Sequence, residues 1–376
     1  MTAAFLLRAL TGAVAILLLV QPAYAAGGAE KPAAQKPPEP PPPPPPPKEP
    51  PVPKVKPARQ VPEGGFNKVS FGTNWVAEAE HGGFFQALAD GTYKRYGLDV
   101  SIVPGGPNIN NRTLLIAGKL DFFMSANTLQ SFDAVANNVP VVAVAAIFQK
   151  DPQVLLAHPD PKVTKLEDLK PLTLFISKEG VASYFQWLKS EYGFSPARVK
   201  PYTFNAQPFL FDKRSAMQGY VTSEPYAIKQ QAGFEPTVML LADYGFSGYS
   251  TLIETRRELT EKDPDLVQRF VDASLIGWYN YLYGDNKPGN AMIKQLNPEM
   301  TDELLTYSVD KMKQYGIVDS GDALRDGIGA MSDIRIAEFF DKMSRAGAVK
   351  SNLEFRKSYT LQFTNKAVGI DLRPNK

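Results

Sequence analysis

The chain has 376 residues, 44% of them hydrophobic and 21% charged, with a formal net charge of +2. That length allows two domains with sizeable cores, and so small a charge excludes the strongly basic surface of a nucleic-acid binder. With no cysteine and only two histidines, His81 and His158, the sequence excludes thiol catalysis, cysteine-held metal and disulfides and leaves little for a histidine metal site, so no cofactor or metal is expected.

The first residues follow secretory logic. Arg8 supplies a positive charge, residues 10–20 an apolar stretch, and Ala23-Tyr24-Ala25 a small-x-small cleavage site, which predicts a signal peptide over 1–25. The apolar stretch, about a dozen residues, falls short of the ~20 that a spanning helix needs. Lipid attachment would require a cysteine, so the expectation is a free, monomeric protein exported to the periplasm. Residues 26–66 read as a proline-rich linker, unbroken proline from 40 to 47. Such a segment favours an extended rod of ~3.1 Å per residue and reads as a spacer or tether.

From residue 69 onward strands and helices alternate. A strand at 69–74, a polar bend containing His81-Gly82-Gly83, a helix at 84–93 and a strand at 99–103 make a βαβ unit. Its first turn carries an aromatic, two carboxylates, a histidine and two glycines, at the position beyond the strand ends where α/β sheets bind ligands. A helix at 108–117, a strand at 121–125 and a helix at 129–137 follow. The nearly all-apolar run at 140–149 predicts a strand buried on both faces, as central parallel strands are. A break at 149–152 opens a second unit of the same grammar. Strands are expected at 153–157, 173–176, 199–204, 219–222 and 238–242, with helices at 181–192, 209–217 and 226–231. After a second break at 243–246 come a strand from 249, helices at 265–283, 301–315 and 332–346, and a last short strand at 359–363. The pattern predicts one lobe from 67–150 with 245–376 and a second from 151–244. Two lobes joined by two short crossings make a hinge.

Several short segments carry a resemblance. They are Asn74-Trp75, His81-Gly82-Gly83-Phe84, YKRYGLDV from Tyr93, Pro104-Gly105-Gly106, IAGKLDF from Ile116, Ser125-Ala126-Asn127 and Ser223-Glu224-Pro225. Together these resemble the periplasmic solute-binding proteins of ABC importers for nitrate, sulfonates, taurine and thiamine-pyrimidine precursors, most of all the last branch. The resemblance implies a type II periplasmic binding protein: two α/β lobes, a two-crossover hinge and a ligand in the interlobe cleft. It further implies a small solute handed to a membrane permease and its ATPase, with no enzymatic step. A fungal pyrimidine synthase of similar fold carries a cysteine-rich iron segment, which this chain lacks. A ligand-sensing domain for a receptor is the other alternative.

Candidate ligand contacts follow from position. In the first lobe Trp75 ends the first strand and offers a ring for stacking. His81 precedes Gly82-Gly83 at a helix start, where helix amides can face an anionic group. Glu80 is an acceptor for a ligand amine, with Glu78 behind it, and Asn127 sits at the end of a strand. Gly105-Gly106-Pro107-Asn108 offers a further turn into a helix. In the second lobe the candidates are Glu179 and Gly180 at the strand–turn–helix after 176, Asn205 after the next strand, and Glu224. The resemblance implies that Glu224, with its following proline, faces the cleft. Gln149 and Tyr244 lie at the predicted crossings, where they can report closure. Trp278, Tyr279, Tyr281 and Tyr283 read as helix packing, His158 and Arg112 as solvated, and Lys150 and Lys178 as lysines without an activating partner. Acidic candidates outnumber arginines at the strand ends, which favours a neutral or amine-bearing heterocycle.

Overall fold

The computed structural model describes residues 65–106 and 109–374. The expected signal peptide, nearly all of the proline-rich segment and the Pro107-Asn108 turn lie outside them. Two five-stranded sheets organise the chain. The first contains β1 (Asn67–Gly72), β2 (Leu98–Val103), β3 (Phe122–Asn127) and β4 (Val141–Phe148). The second contains β5 (Gln153–Ala157), β6 (Thr173–Ile176), β7 (Val199–Pro201), β8 (Ser215–Tyr220) and β9 (Thr237–Leu240). The chain then returns through β10 (Ser250–Arg256) to the first sheet.

The strand orders are β2-β1-β3-β10-β4 and β7-β6-β8-β5-β9. In each sheet one strand runs against its neighbours: β10, the last to join the first sheet, is antiparallel to β3 and β4, and β5, the first of the second sheet, is antiparallel to β8 and β9. The chain passes from one sheet to the other between Phe148 and Gln153 and comes back between Leu240 and Ser250. These are the two crossings that the breaks in the sequence pattern predict.

Seven longer helices matter here: α1 (Gly82–Ala89), α2 (Thr128–Ala136), α3 (Glu224–Ala232), α4 (Pro264–Tyr283), α5 (Lys287–Leu296), α6 (Asp302–Gln314) and α7 (Asp333–Arg345). Asp263 caps α4 by accepting from the Leu266 N–H at 3.0 Å, and Pro264 opens its first turn, a sequence written for a helix start. The inward face of α4 then inserts Phe270 between the rings of Phe122 (4.0 Å, stacked) and Tyr93 (5.5 Å, stacked). Trp278 meets Phe84 and Phe148 edge to face. Trp278, Tyr279 and Tyr281 are fully buried, so this aromatic group packs the core.

Helix α1 approaches α4 through glycines. A Cβ on Gly277 would lie 2.3 Å from the Gly83 carbonyl oxygen and 2.5 Å from the Ala87 Cβ, and one on Gly83 would enter the Trp278 ring. This contact sets the height of the His81-Gly82-Gly83 turn above the first sheet.

Five expectations need correction. The run expected at 140–149 is buried from Val141 on but forms an edge strand, paired only with β10; Tyr359 and Gly329 cover its other side by single bridges to Ala143 and Ala146. The expected helix at 209–217 is a short turn, Gln207–Phe211, after which Ser215–Tyr220 is already strand β8. Pro208 in the first turn and the loss of spacing at Asp212 confine that helix. The expected strand at 199–204 is only Val199–Pro201, since Pro201 has no N–H to carry the ladder on. Helix α5 lies where no element is expected, with Pro288 in the tolerated first turn and Gly289 packed on Gln86. Residues 359–363 form no strand, only the Tyr359 bridge.

Gly277→Ala should lower unfolding free energy by about 1–3 kcal/mol, the usual cost of forcing a methyl into a packed contact. Urea denaturation measures it; an unchanged midpoint would mean that α1 and α4 can separate freely.

Candidate functional site

The carboxyl ends of β1 and β3 and the loops beyond β7 and β8 meet across the two sheets. Trp75 follows β1. Its loop is held by Gly105, whose N–H donates to the Trp75 carbonyl at 2.9 Å and to Thr73 Oγ1 at 3.2 Å. A Cβ on Gly105 would come within 2.6 Å of the Thr73 and Asn74 backbone, so glycine is needed for this close approach. Gly105 is therefore a brace for Trp75, and its amide is not free to seat an anion. Across the seam the Trp75 ring lies 5.5 Å from Phe204, which itself lies 5.5 Å from Tyr202. Phe204 is held at φ +60° and is 61% exposed, an unusual state for a phenylalanine.

The carboxylates gather beside this aromatic contact. Glu80, 4% exposed in the turn Ala79–His81, accepts a short hydrogen bond from Thr222 Oγ1 of the other lobe. Glu224 begins α3, where its Oε2 accepts from the Tyr220 N–H at 2.6 Å and from Ser223 Oγ at 2.7 Å. Burial raises the affinity of Glu78, Glu80 and Glu224 for protons, and the charge of Glu224 on Glu78 and Glu80 raises theirs further. Burial together with the surrounding carboxylates likewise pushes the Tyr220 phenol up. Residues from two lobes thus share one electrostatic environment.

His81 stands next to Glu78, its Nε2 3.6 Å from Oε1. The ring is fully buried, neither nitrogen has a hydrogen-bond partner, and burial lowers its pKa to about 3. It is held neutral. Further along the seam Asn127 caps α2 by accepting from the Leu129 N–H at 3.1 Å, and its side chain also bonds Asp151 in the first crossing. Burial pushes Asp151 up to about 6. Ser125, two residues before Asn127, is fully buried with its hydroxyl unpartnered. Helix α6 closes the side of the seam: Ser308 Oγ donates to the Thr222 carbonyl at 2.8 Å, and Tyr307 lies 5.3 Å from Tyr226.

The structure therefore brings Trp75, Glu80, His81, Asn127 and Glu224 together. Other candidates go elsewhere. Gln149 is spent on the hinge, donating to the Ala330 carbonyl at 2.9 Å and accepting from Arg335 Nη1 at 3.3 Å. Tyr244 packs in the second lobe, its hydroxyl on Met239 Sδ at 3.1 Å and its carbonyl accepting from Tyr192. Asn205 folds back to accept from the Gln207 N–H at 2.9 Å. Glu179 is exposed on its turn, and Gly180 is buried because Ile176 and Tyr184 leave no room for a Cβ. Arg112 and His158 are not solvated. Arg112 pairs with the buried Glu254 at 3.1 Å, and His158 is wedged between Phe209 and Phe234. Lys150 pairs at 2.6 Å with Asp243, one from each crossing.

Sequence reasoning placed Glu78 second and missed Phe204, Thr222 and Asp151. Phe204 stood beside the chosen Asn205, and an exposed aromatic after a strand was the available signal. Thr222 and Asp151 have none in the local pattern. Two surface cavities, about 390 and 240 Å³, are lined by other residues: the first by Val139, Arg257 and Lys350 among them, the second by Tyr283, Asp319 and Arg373.

Comparison with known proteins fits this geometry. A family model described as NMT1/THI5 like matches residues 78–286. The chain is 25% identical over 236 residues to the riboflavin-binding protein RibY of Chloroflexus aurantiacus, a match covering 60% of this chain and 64%, just under two thirds, of that relative. Among solved structures it resembles the periplasmic aliphatic sulphonate-binding protein SsuA of Escherichia coli (14% identity, TM-score 0.58, 77% of this chain and 91% of that one). It also resembles the periplasmic nitrate-binding protein NrtA of Synechocystis (12% identity, TM-score 0.52, 79% and 85%). The fold is that of the type II periplasmic binding proteins, two α/β lobes with a double crossing.

Because His81 is neutral when folded and ordinary when unfolded, it contributes stability above about pH 6.5 that is lost as pH falls toward its depressed value. Replacing it by the similarly sized, untitratable methionine should remove this loss. Between about pH 7 and 5 the wild type should weaken by about 2 kcal/mol relative to His81→Met. Parallel pH dependences in urea melts of the two proteins would show that His81 is not held neutral by burial.

Proposed function

The chain belongs to the NMT1/THI5-like family, and from that premise we propose that it is the solute-binding component of an ABC importer. It captures a small planar heterocycle, pyrimidine- or thiamine-precursor-like or otherwise amine-bearing, between its lobes and delivers it outside the cytoplasmic membrane to a permease and ATPase. The single observation that carries this reading is the meeting of Trp75 and Phe204 across the seam, beside carboxylates from both lobes. At 5.5 Å the two rings already touch, so a planar solute enters as the lobes part and is then held between ring faces. Stacking of this kind adds about 0.5–1.5 kcal/mol beyond the area buried.

The residues support binding without turnover. The two lysine candidates, Lys150 and Lys178, are an ion-paired and an exposed side chain, and neither has the buried setting that activates an amine. His81 is neutral but touches no hydroxyl or thiol nucleophile. Transport is preferred to sensing because the solved structures of similar fold named above are periplasmic binding proteins for small solutes. In this reading the lobes follow the division at the two crossings, and the exported protein acts as a monomer.

Thermal-shift screening of the exported form against pyrimidines, flavins, amines, sulfonates and nitrate tests the proposal. A true ligand at a hundred times its Kd stabilises the native state by about 2.7 kcal/mol. Trp75→Ala should then weaken binding of that ligand by about tenfold or more, the worth of a stacked ring and its buried area. A ligand bound equally by wild type and Trp75→Ala would remove the stacking site, and turnover of any bound compound would overturn the binding role.

A further inference from the structure

Resting on the binding role just proposed, the seam says what kind of solute it takes. Three carboxylates meet at the lobe boundary: Glu78 stands two residues before Glu80 in the first lobe, and Thr222, which bonds Glu80, stands two residues before Glu224 in the second. The groups that face them are neutral. From α1's entry turn comes His81, from the second lobe the hydroxyls of Tyr202, Tyr220 and Thr222, from α4 Tyr281, and from α6 Tyr307. Among the described residues no lysine or arginine pairs with any of the three, and no group of acidic and histidine side chains is placed to hold a metal ion.

A second observation is independent of the acidic cluster. His81 is fully buried beside Glu78, with both ring nitrogens unpartnered. A histidine buried without a partner leaves a polar need in the structure, since removing such a group from water costs about 1–3 kcal/mol when unmet. Its Nε2 is aimed at the Glu78 carboxylate but stops at 3.6 Å, beyond hydrogen-bond reach. A donor and acceptor arriving with a solute would complete both groups.

We propose that Glu78, Glu80 and Glu224 form a cation-selective seat whose solute carries a protonated or multiply N–H-donating nitrogen, an amidine or aminoheterocycle, and that anions are refused. Like charges gathered in a half-buried seam repel, and one positive group bonded to carboxylates of both lobes removes that repulsion while tying the lobes together. Without a solute, protons perform the same service. The closed seam holds its carboxyls at raised pKa, so closing takes up protons; closure is favoured below the carboxylates' ordinary range and is lost as pH rises through the raised values. A cation bound at neutral pH displaces those protons to solvent.

The test uses three probes of one size and different charge: benzamidine, benzamide and benzoate. Titration calorimetry near neutral pH should show benzamidine binding about tenfold tighter than benzoate or more, and the Glu78→Gln/Glu224→Gln double variant should narrow that ratio to about threefold or less. Benzoate binding as tightly as benzamidine, or a preference unchanged in the double variant, would overturn the seat. A second arm adds no ligand: small-angle scattering of the empty wild type should show it loosening as pH rises above the ordinary carboxylate range, with the double variant compact throughout. If none of the probes binds, this arm decides, and compactness indifferent to pH overturns the proposal. Should the double variant fail to fold, Glu224→Gln alone is used, with a partial change expected in the same direction. A protein that passes both arms but is stabilised by no solute in the thermal screen would defeat the import reading and leave the seat. One that binds a solute while ignoring charge and pH would do the reverse.

Discussion

One guanidinium holds both crossings. Arg335 of α7 donates from Nη2 to the Gln149 carbonyl and from Nη1 to the Gln149 side chain in the first crossing, and from Nε to the Ser247 carbonyl in the second, at 2.9 Å. Its plane lies 4.1 Å over the Tyr249 ring, and Asp322, which also accepts from the Tyr249 hydroxyl, approaches Nη1 at 3.4 Å. Hydrogen bonds to a charged group are worth about 1.5–3 kcal/mol each, and the fixed fork of arginine suits it to bind several carbonyls at once. The chain joins its sheets at only these two places, so tying them together limits how the lobes can turn. What rotation remains opens and closes the seam between the strand ends. The position of every cleft residue follows from that restriction.

The seam closes on unlike materials. Trp75 against Phe204 supplies apolar contact, Thr222 to Glu80 and Ser308 to Thr222 supply hydrogen bonds, and the carboxylates oppose them. A buried charge without a counter-charge is costly, so an empty closed seam at neutral pH is held against its own electrostatics. In the proposed import role that opposition is useful, because a clamp that shuts firmly when empty would present an unloaded shape to its transporter. The difference between empty and loaded forms must come from contacts that the solute alone supplies.

Much of this was legible in the residues. Short strands alternating with helices, and the two breaks in that alternation at 149–152 and 243–246, placed both sheets and both crossings. Trp75, Glu80, His81, Asn127 and Glu224 were reachable because topology puts ligand sites past the ends of parallel strands. What escaped depends on contacts between distant parts of the chain. An all-apolar strand looks central whether a neighbouring strand or a C-terminal segment covers it, so β4 was misplaced. Gln149 sits where a ligand contact could be, yet Arg335, 186 residues later, claims it. Thr222 matters only because Glu80 faces it, 142 residues away. Local pattern reports which face of an element is buried, not which partner buries it.

Fold alone says little about cargo, since the same architecture serves proteins named for an aliphatic sulphonate, for nitrate and for riboflavin. Two of those are anions, and a pocket for an anion needs donors: free backbone amides at a helix start or arginines turned inward. In this chain the corresponding groups are already engaged. The Gly105 amide braces Trp75, the Gly180 amide donates to Ser177 Oγ at 3.1 Å, Arg112 is paired with buried Glu254, and Arg335 is committed to the hinge. Acceptors remain at the seam, on Glu78, Glu80 and Glu224, with unpartnered oxygens on Asn74 and Ser125 at the adjoining strand ends. On the proposed reading, carboxylates gathered at the seam with no arginine or lysine paired to them suit a solute rich in N–H. If the proposed seat is right, the chemistry that separates this chain from the sulphonate- and nitrate-binding proteins lies in a few side chains at the strand ends, on a scaffold that they share.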